Sequence, residues 1–107
     1  MPGKFNNIKV KIDGITFDSK REGARYVHLK LLQKAGHIRD LRTNVPACRF
    51  PLRVNNELIC TYIADFLYYD VREQQDVVED VKGFRTREYV MKRKLMHAIH
   101  GITIRET

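Results

Sequence analysis

The chain has 107 residues, enough for one domain over 1–107 and no second. Its 20 Lys and Arg outnumber 13 Asp and Glu, and a net charge of +7 favours a polyanionic partner, nucleic acid above all. No apolar run reaches the ~18 residues of a membrane span; the opening M-P-G-K-F-N-N lacks the apolar core of a secretory signal, and Cys48 and Cys60 suit free thiols in a reducing cytoplasm.

Residues 8–12 (I-K-V-K-I) alternate apolar and basic, as a half-exposed strand does, and Asp13-Gly14 reads as a tight turn into I-T-F. Residues 19–35 predict a helix, capped by Ser19 and stopped by Gly36, with Ala24, Val27, His28, Leu31 and Ala35 on its apolar stripe. A short extended piece is expected over 37–41. Pro46 and Pro51 flank A-C-R-F, which reads as an edge strand or extended loop. After a turn at Asn55-Asn56, residues 58–69 predict one long strand, apolar on both faces and therefore central. Residues 76–82 pair with it. Thr86 caps a second helix over 87–100, with Val90, Met91, Leu95, Ala98 and Ile99 on its stripe, and Gly101 ends it. I-T-I-R at 102–105 adds a last strand. Helix, three strands, helix, strand makes a layered α/β domain.

Asp65 lies inside an apolar strand, where a charge must be paired or neutralised. Only the polar stretch 70–75 separates that strand from the next. A hairpin centred between Arg72 and Glu73 sets Asp65 opposite Asp80, with Cβ atoms about 4.5–5.5 Å apart. Two ionised carboxylates at that separation repel by about 3 kcal/mol at an effective dielectric near 20. Lys82, two residues beyond Asp80, shares its face. Two carboxylates and an ammonium together suit a hard divalent metal and a phosphate. Glu79 points to the other face under strict alternation; a bulge would bring it round in place of Asp80. Glu22 occupies the capping-box position after Ser19, and a carboxylate in that first turn could equally reach a metal at the sheet's edge.

Basic residues gather at both helix starts. Lys20, Arg21 and Arg25 flank the first; Arg85, Thr86, Arg87, Lys92, Arg93 and Lys94 surround the second, a phosphate-backbone track beside the acidic hairpin. Phe84 and Tyr89 are expected in the core, with stacking on a base as the alternative. His97 and His100 fall near a helix C-terminus without zinc-finger spacing, and neither a Gly-rich phosphate loop nor G-x-S-x-G is present.

F-D-S-K-R-E at 17–22, L-L-Q-K-A-G at 31–36, Y-I-A-D-F at 62–66 and V-E-D-V-K-G at 78–83 together give the chain a resemblance to the PD-(D/E)XK nuclease superfamily. It is similar to the small phage- and prophage-encoded branch related to Holliday-junction resolvases and recombination endonucleases. That resemblance covers nearly the whole chain and implies a restriction-endonuclease-like αβββαβ core, a mixed central sheet flanked by helices. Ala64 stands where the motif carries proline, and the second acid is Asp rather than the commoner Glu. By position the resemblance makes Glu22, Asp65, Asp80 and Lys82 catalytic. It implies Mg²⁺ (or Mn²⁺) held by Asp65, Asp80, the Val81 carbonyl and Glu22, directly or through water, with one or two ions left open. Lys92 matches the basic residue that follows the motif on a helix. The implied reaction is in-line phosphodiester hydrolysis leaving a 5′-phosphate, without a small-molecule cofactor. The expected protein is an endonuclease acting on branched DNA in phage recombination inside a bacterial cytoplasm, a homodimer because two strands must be cut. A flap or single-strand nuclease, or a non-catalytic basic DNA-binding protein, is the alternative.

Overall fold

The structure, a computed structural model, describes residues 8–107. The signal-sequence reading of residues 1–7 lies outside the described residues. Strands β1 (Val10–Ile12) and β2 (Ile15–Phe17) form a hairpin. Asp13 and Gly14 turn it with φ of 53° and 77°, the left-handed pair that matches strand twist in two-residue hairpins.

Helix α1 (Lys20–Lys34) begins where the Ser19 hydroxyl accepts the Glu22 N–H at 3.1 Å. Its buried face corrects the expected one. Gly23, Tyr26 and Leu29 face inward, while Ala24, Val27, His28 and Leu31 are exposed. The reason is contact rather than apolarity. A Cβ on Gly23 would lie 2.6 Å from a Val10 methyl, so glycine lets the helix close on β1. Tyr26 buries its ring on Phe17 and sends its hydroxyl out to Asp13 at 2.8 Å.

Then come β3 (Ile38–Arg42), a 3-10 turn over Pro46–Cys48, and β4 (Arg49–Val54) paired with β5 (Glu57–Ile63) through the Asn55-Asn56 turn. β6 (Phe66–Asp70), β7 (Gln75–Asp80), α2 (Arg87–His100) and β8 (Arg105–Glu106) complete the chain. One four-stranded mixed sheet runs β3-β6-β7-β8, antiparallel except between β7 and β8. Phe66, Tyr68, Val77 and Val81 pack with Tyr26 and Leu29 of α1 and with Phe17. On the other face Leu67, Val78 and Ile104 pack with Tyr89 and Met96 of α2 and with Leu52 and Tyr62 of the β4–β5 hairpin. Two faces with a core each make the expected layered α/β arrangement. Side chains as buried as Leu29 and Leu52 each contribute roughly 1.5–3 kcal/mol.

The single strand expected over 58–69 is two. Ala64 N–H still bonds the carbonyl of Cys48 at 2.9 Å, but Asp65 N–H bonds Glu79 at 3.1 Å. The chain thus leaves the β4 ladder and joins the β7 ladder between adjacent residues. In α2 the buried residues are Tyr89 and Met96; Val90, Leu95 and Ile99 are half-buried, and Met91 and Ala98 are exposed. Phe84, expected in the core, is 70% exposed. Among the described residues, no helix is long and apolar enough to cross a membrane.

Candidate functional site

The β6–β7 register sets Phe66 opposite Glu79 and Asp70 opposite Gln75, centred between Arg72 and Glu73 as the sequence predicts. Continuing it by one residue brings Asp65 against Asp80, at the end of the sheet where β6 starts and β7 stops. Alternation then separates the two acids of β7. Asp80 lies on the α2 side with Val78; Glu79 lies on the α1 side with Val77.

Glu79, the acid that a bulge would have placed in the site, is committed elsewhere. It is fully buried, and Arg25 binds it through Nε at 2.6 Å and Nη2 at 2.9 Å. Tyr68 OH and Thr107 Oγ1 also donate to it. Burial and the Glu79 charge push the Tyr68 phenol up to about 12.

Asp80 is 3% exposed and far less well supplied. Tyr62 OH donates to Oδ2 at 2.6 Å. The Lys82 ammonium stands 3.1 Å from Oδ1, at ion-pair distance but off the hydrogen-bonding direction, so among the described residues Oδ1 is buried without a hydrogen bond. Lys82 is itself held by the Tyr89 ring, 4.4 Å from Nζ to the centroid. Asp65 accepts the Val81 N–H on Oδ2 at 2.7 Å. Burial first, then the Asp80 and Glu22 carboxylates, push the Asp65 carboxyl up to about 8 against the opposing Val81 N–H. Glu22 is raised too, by burial and then by Asp18 and Asp80, with Lys82 opposing. Tyr62 is raised by burial and by its bond to Asp80.

Two clefts meet at this point. One, of about 310 Å³, is lined by Asp80 and Lys82 with Thr61, Tyr62, Thr86 and Lys92. The other, of about 150 Å³, holds Glu22 and Asp65 with Thr43 and Asn44. Ile63 lines both and forms the ridge between them. Asp65, Asp80, Lys82 and the Val81 backbone are therefore drawn together, while Glu22 stands across the second cleft. Among the described residues no three His, Cys, Asp or Glu side chains close on one point. The donor set still suits a hard cation. A buried carboxylate oxygen of Asp80 lacks a hydrogen bond among the described residues, and burial with like charge raises the Asp65 carboxyl beside it, conditions that a divalent ion relieves.

The basic residues divide. Arg25 is withdrawn from the expected phosphate track by Glu79. The charge of Arg85 is answered by Glu106 at 2.9 Å, which Arg93 and Tyr89 also bind, and these partners hold the Glu106 carboxyl down at about 2. Lys92 pairs with Glu88 at 3.0 Å, one turn away, inside the first cleft. Arg21 reaches the Thr107 carbonyl at 3.4 Å. Thr86 caps α2, accepting the Tyr89 N–H at 3.1 Å, and also lines the first cleft. Lys20, Arg87 and Lys94 are exposed. Tyr62 was missed, because a tyrosine three residues before Asp65 gives no sign that it reaches Asp80 until the strand is broken.

No curated protein and no solved structure matches the chain. The pattern of a family described as "Protein of unknown function (DUF1064)" matches residues 2–102, and the chain belongs to that family.

Proposed function

We propose that the protein is a metal-dependent DNA endonuclease with a restriction-endonuclease-like core. The carrying observation is the shared site of Asp65 and Asp80, with one buried oxygen of Asp80 left without a hydrogen bond beside the Lys82 ammonium. The topology supports it. With the β4–β5 hairpin set aside, α1, β3, β6, β7, α2 and β8 run in αβββαβ order around one mixed sheet.

Asp65 and Asp80 would hold Mg²⁺ or Mn²⁺, with the Val81 carbonyl at the same strand end and Glu22 completing the set across the second cleft. The bound ion would acidify a water and offset charge on the phosphoryl oxygens. Lys82, steadied by Tyr89 and Asp80, orients the attacking water and balances the acids. Tyr62 fixes Asp80 by one oxygen and leaves the other facing Lys82. Thr86, at the start of α2, offers its helix end to a phosphate. Lys92 adds charge in the same cleft. The substrate is branched DNA, and cutting two strands calls for a symmetric dimer.

The test is cleavage of a four-way junction, a flap, a single strand and a duplex by purified protein with Mg²⁺ or Mn²⁺. Cutting that is lost in both Asp80→Asn and Lys82→Ala is expected. Equal inactivity of wild type and both variants on every substrate, with Mn²⁺ supplied, defeats the enzyme reading and leaves a DNA-binding protein.

A further inference from the structure

Among the described residues, none covers the outer face of the β4–β5 hairpin. Its inner face, Phe50, Leu52, Cys60 and Tyr62, packs on the α2 core. Its outer face carries Arg49, Pro51 and Arg53 on β4 and Thr61 and Ile63 on β5, with Ile59 and Leu58 at the bulge. Ile63 is 55% exposed and Ile59 53%. Among the described residues neither Arg49 nor Arg53 lies within ion-pair distance of a carboxylate. The register places Arg49 directly opposite Ile63, the ridge between the two clefts. Directly opposed residues share a face, with Cβ atoms about 4.5–5.5 Å apart. The face therefore leads without interruption from the Asp65–Asp80 site out along the hairpin, and Thr61 continues the cleft wall.

The geometry points to this face as a nucleic-acid track: Arg49 and Arg53 take two phosphates of the strand that enters the clefts, and Ile63 and Ile59 pack against its sugars or base edges. The assignment rests on the reading of those clefts as the place where a DNA strand is held. Arginines and exposed isoleucines on one strand pair suit an anionic polymer with apolar faces between its phosphates. A second copy of the chain fits less well. Residues 49–63 contain one acid, Glu57, so an isologous contact would bring four arginines together with little to answer them.

Fluorescence anisotropy of labelled junction and single-strand oligonucleotides, in EDTA over a series of salt concentrations, tests the track with the full-length chain. Arg49→Gln with Arg53→Gln is expected to weaken binding about tenfold or more. It should flatten the plot of log affinity against log salt by about 1.4–1.8, two phosphate contacts' worth. Arg72→Gln, at the far end of β6, should change neither. Unchanged affinity and slope in the double variant overturns the track and leaves the nuclease reading standing. So does a double variant that binds DNA normally but loses self-association by light scattering, which would give the face to a second copy. Flattened binding together with wild type inert toward all substrates with Mn²⁺ would instead keep the track and remove the nuclease reading.

Discussion

Glu79 and Asp80 are neighbours on β7, both buried, and the fold treats them oppositely. Glu79 receives two bonds from Arg25, one from Tyr68 and one from Thr107. Among the described residues Asp80 receives one, from Tyr62; its other oxygen has none and faces an ammonium beside a second carboxylate. A buried charge is costly unless its hydrogen-bonding capacity is met. On the α1 side the chain meets that need from its own residues and fastens the helix to the sheet. On the α2 side it leaves the need open at a cleft. One acid is scaffold, and the other keeps a position for something from outside.

Two substitutions separate these roles most sharply. Asp80→Asn keeps shape and burial but removes charge. It is expected to lower cleavage by about a thousandfold, roughly 4 kcal/mol of barrier, with a melting temperature little changed, since relief of the raised Asp65 carboxyl offsets the lost Lys82 ion pair. Glu79→Gln should do the reverse to stability. It leaves Arg25 without its counter-charge and should cost about 3 kcal/mol, the lower end for breaking a buried pair, because the Arg25 side chain keeps 20% exposure. At about 4–8 °C per kcal/mol for a domain of this size, thermal melts followed by circular dichroism will show it. A Glu79→Gln protein as stable as Asp80→Asn would erase the distinction.

The Asp65 carboxyl carries the contrast into pH. Its value in the folded chain is raised from 3.8 to about 8, so between those values the folded state holds a proton that the unfolded state has lost. The metal-free protein is therefore expected to lose stability as pH rises through that window, and to have lost the contribution fully above about pH 8. Asp65→Asn should flatten this slope. Mg²⁺ binds the deprotonated form, so its stabilisation of wild type should grow with pH across the same window and be absent from Asp65→Asn. Melting temperatures at about pH 5 and about pH 9, each with and without Mg²⁺, check both signs; a metal effect independent of pH would count against Asp65 as a ligand.

What the sequence made legible follows from what is local. A short polar stretch between two apolar runs sets the hairpin centre, and the centre alone sets Asp65 against Asp80. Turns at Asp13-Gly14 and Asn55-Asn56, and caps at Ser19 and Thr86, were readable for the same reason. The partners of Arg25 and Tyr62 were not, since Glu79 lies 54 residues from Arg25 and Asp80 lies 18 from Tyr62. The break at Ala64 left no mark, because residues 58–69 are apolar on both faces whether they serve one ladder or two. The face of α1 was misread because its closest contact is made by a glycine, which an apolar stripe does not register. Phe84 lies outside its expected place because hydrophobicity alone does not distinguish a core residue from an exposed one.

The smallest expected effect is the most discriminating, because it compares two tyrosines in the same role. Tyr68 donates to Glu79 and Tyr62 donates to Asp80, each from a buried position. If both bonds were merely structural, Tyr68→Phe and Tyr62→Phe would cost alike. They should not. Glu79 retains Arg25 and Thr107 after Tyr68→Phe, so that change should cost about 1.5 kcal/mol or less, the bottom of the range for a bond to a charged group. Asp80 retains no hydrogen bond after Tyr62→Phe, so the loss should approach about 1.5–3 kcal/mol, the range for a bond to a charged group. The order should then narrow or reverse in saturating Mg²⁺, because the ion takes over what Tyr62 supplied and offers nothing to Glu79. Denaturant melts of the two variants with and without Mg²⁺ measure this directly. A gap between them indifferent to the metal would mean that Asp80, like Glu79, is only part of the scaffold.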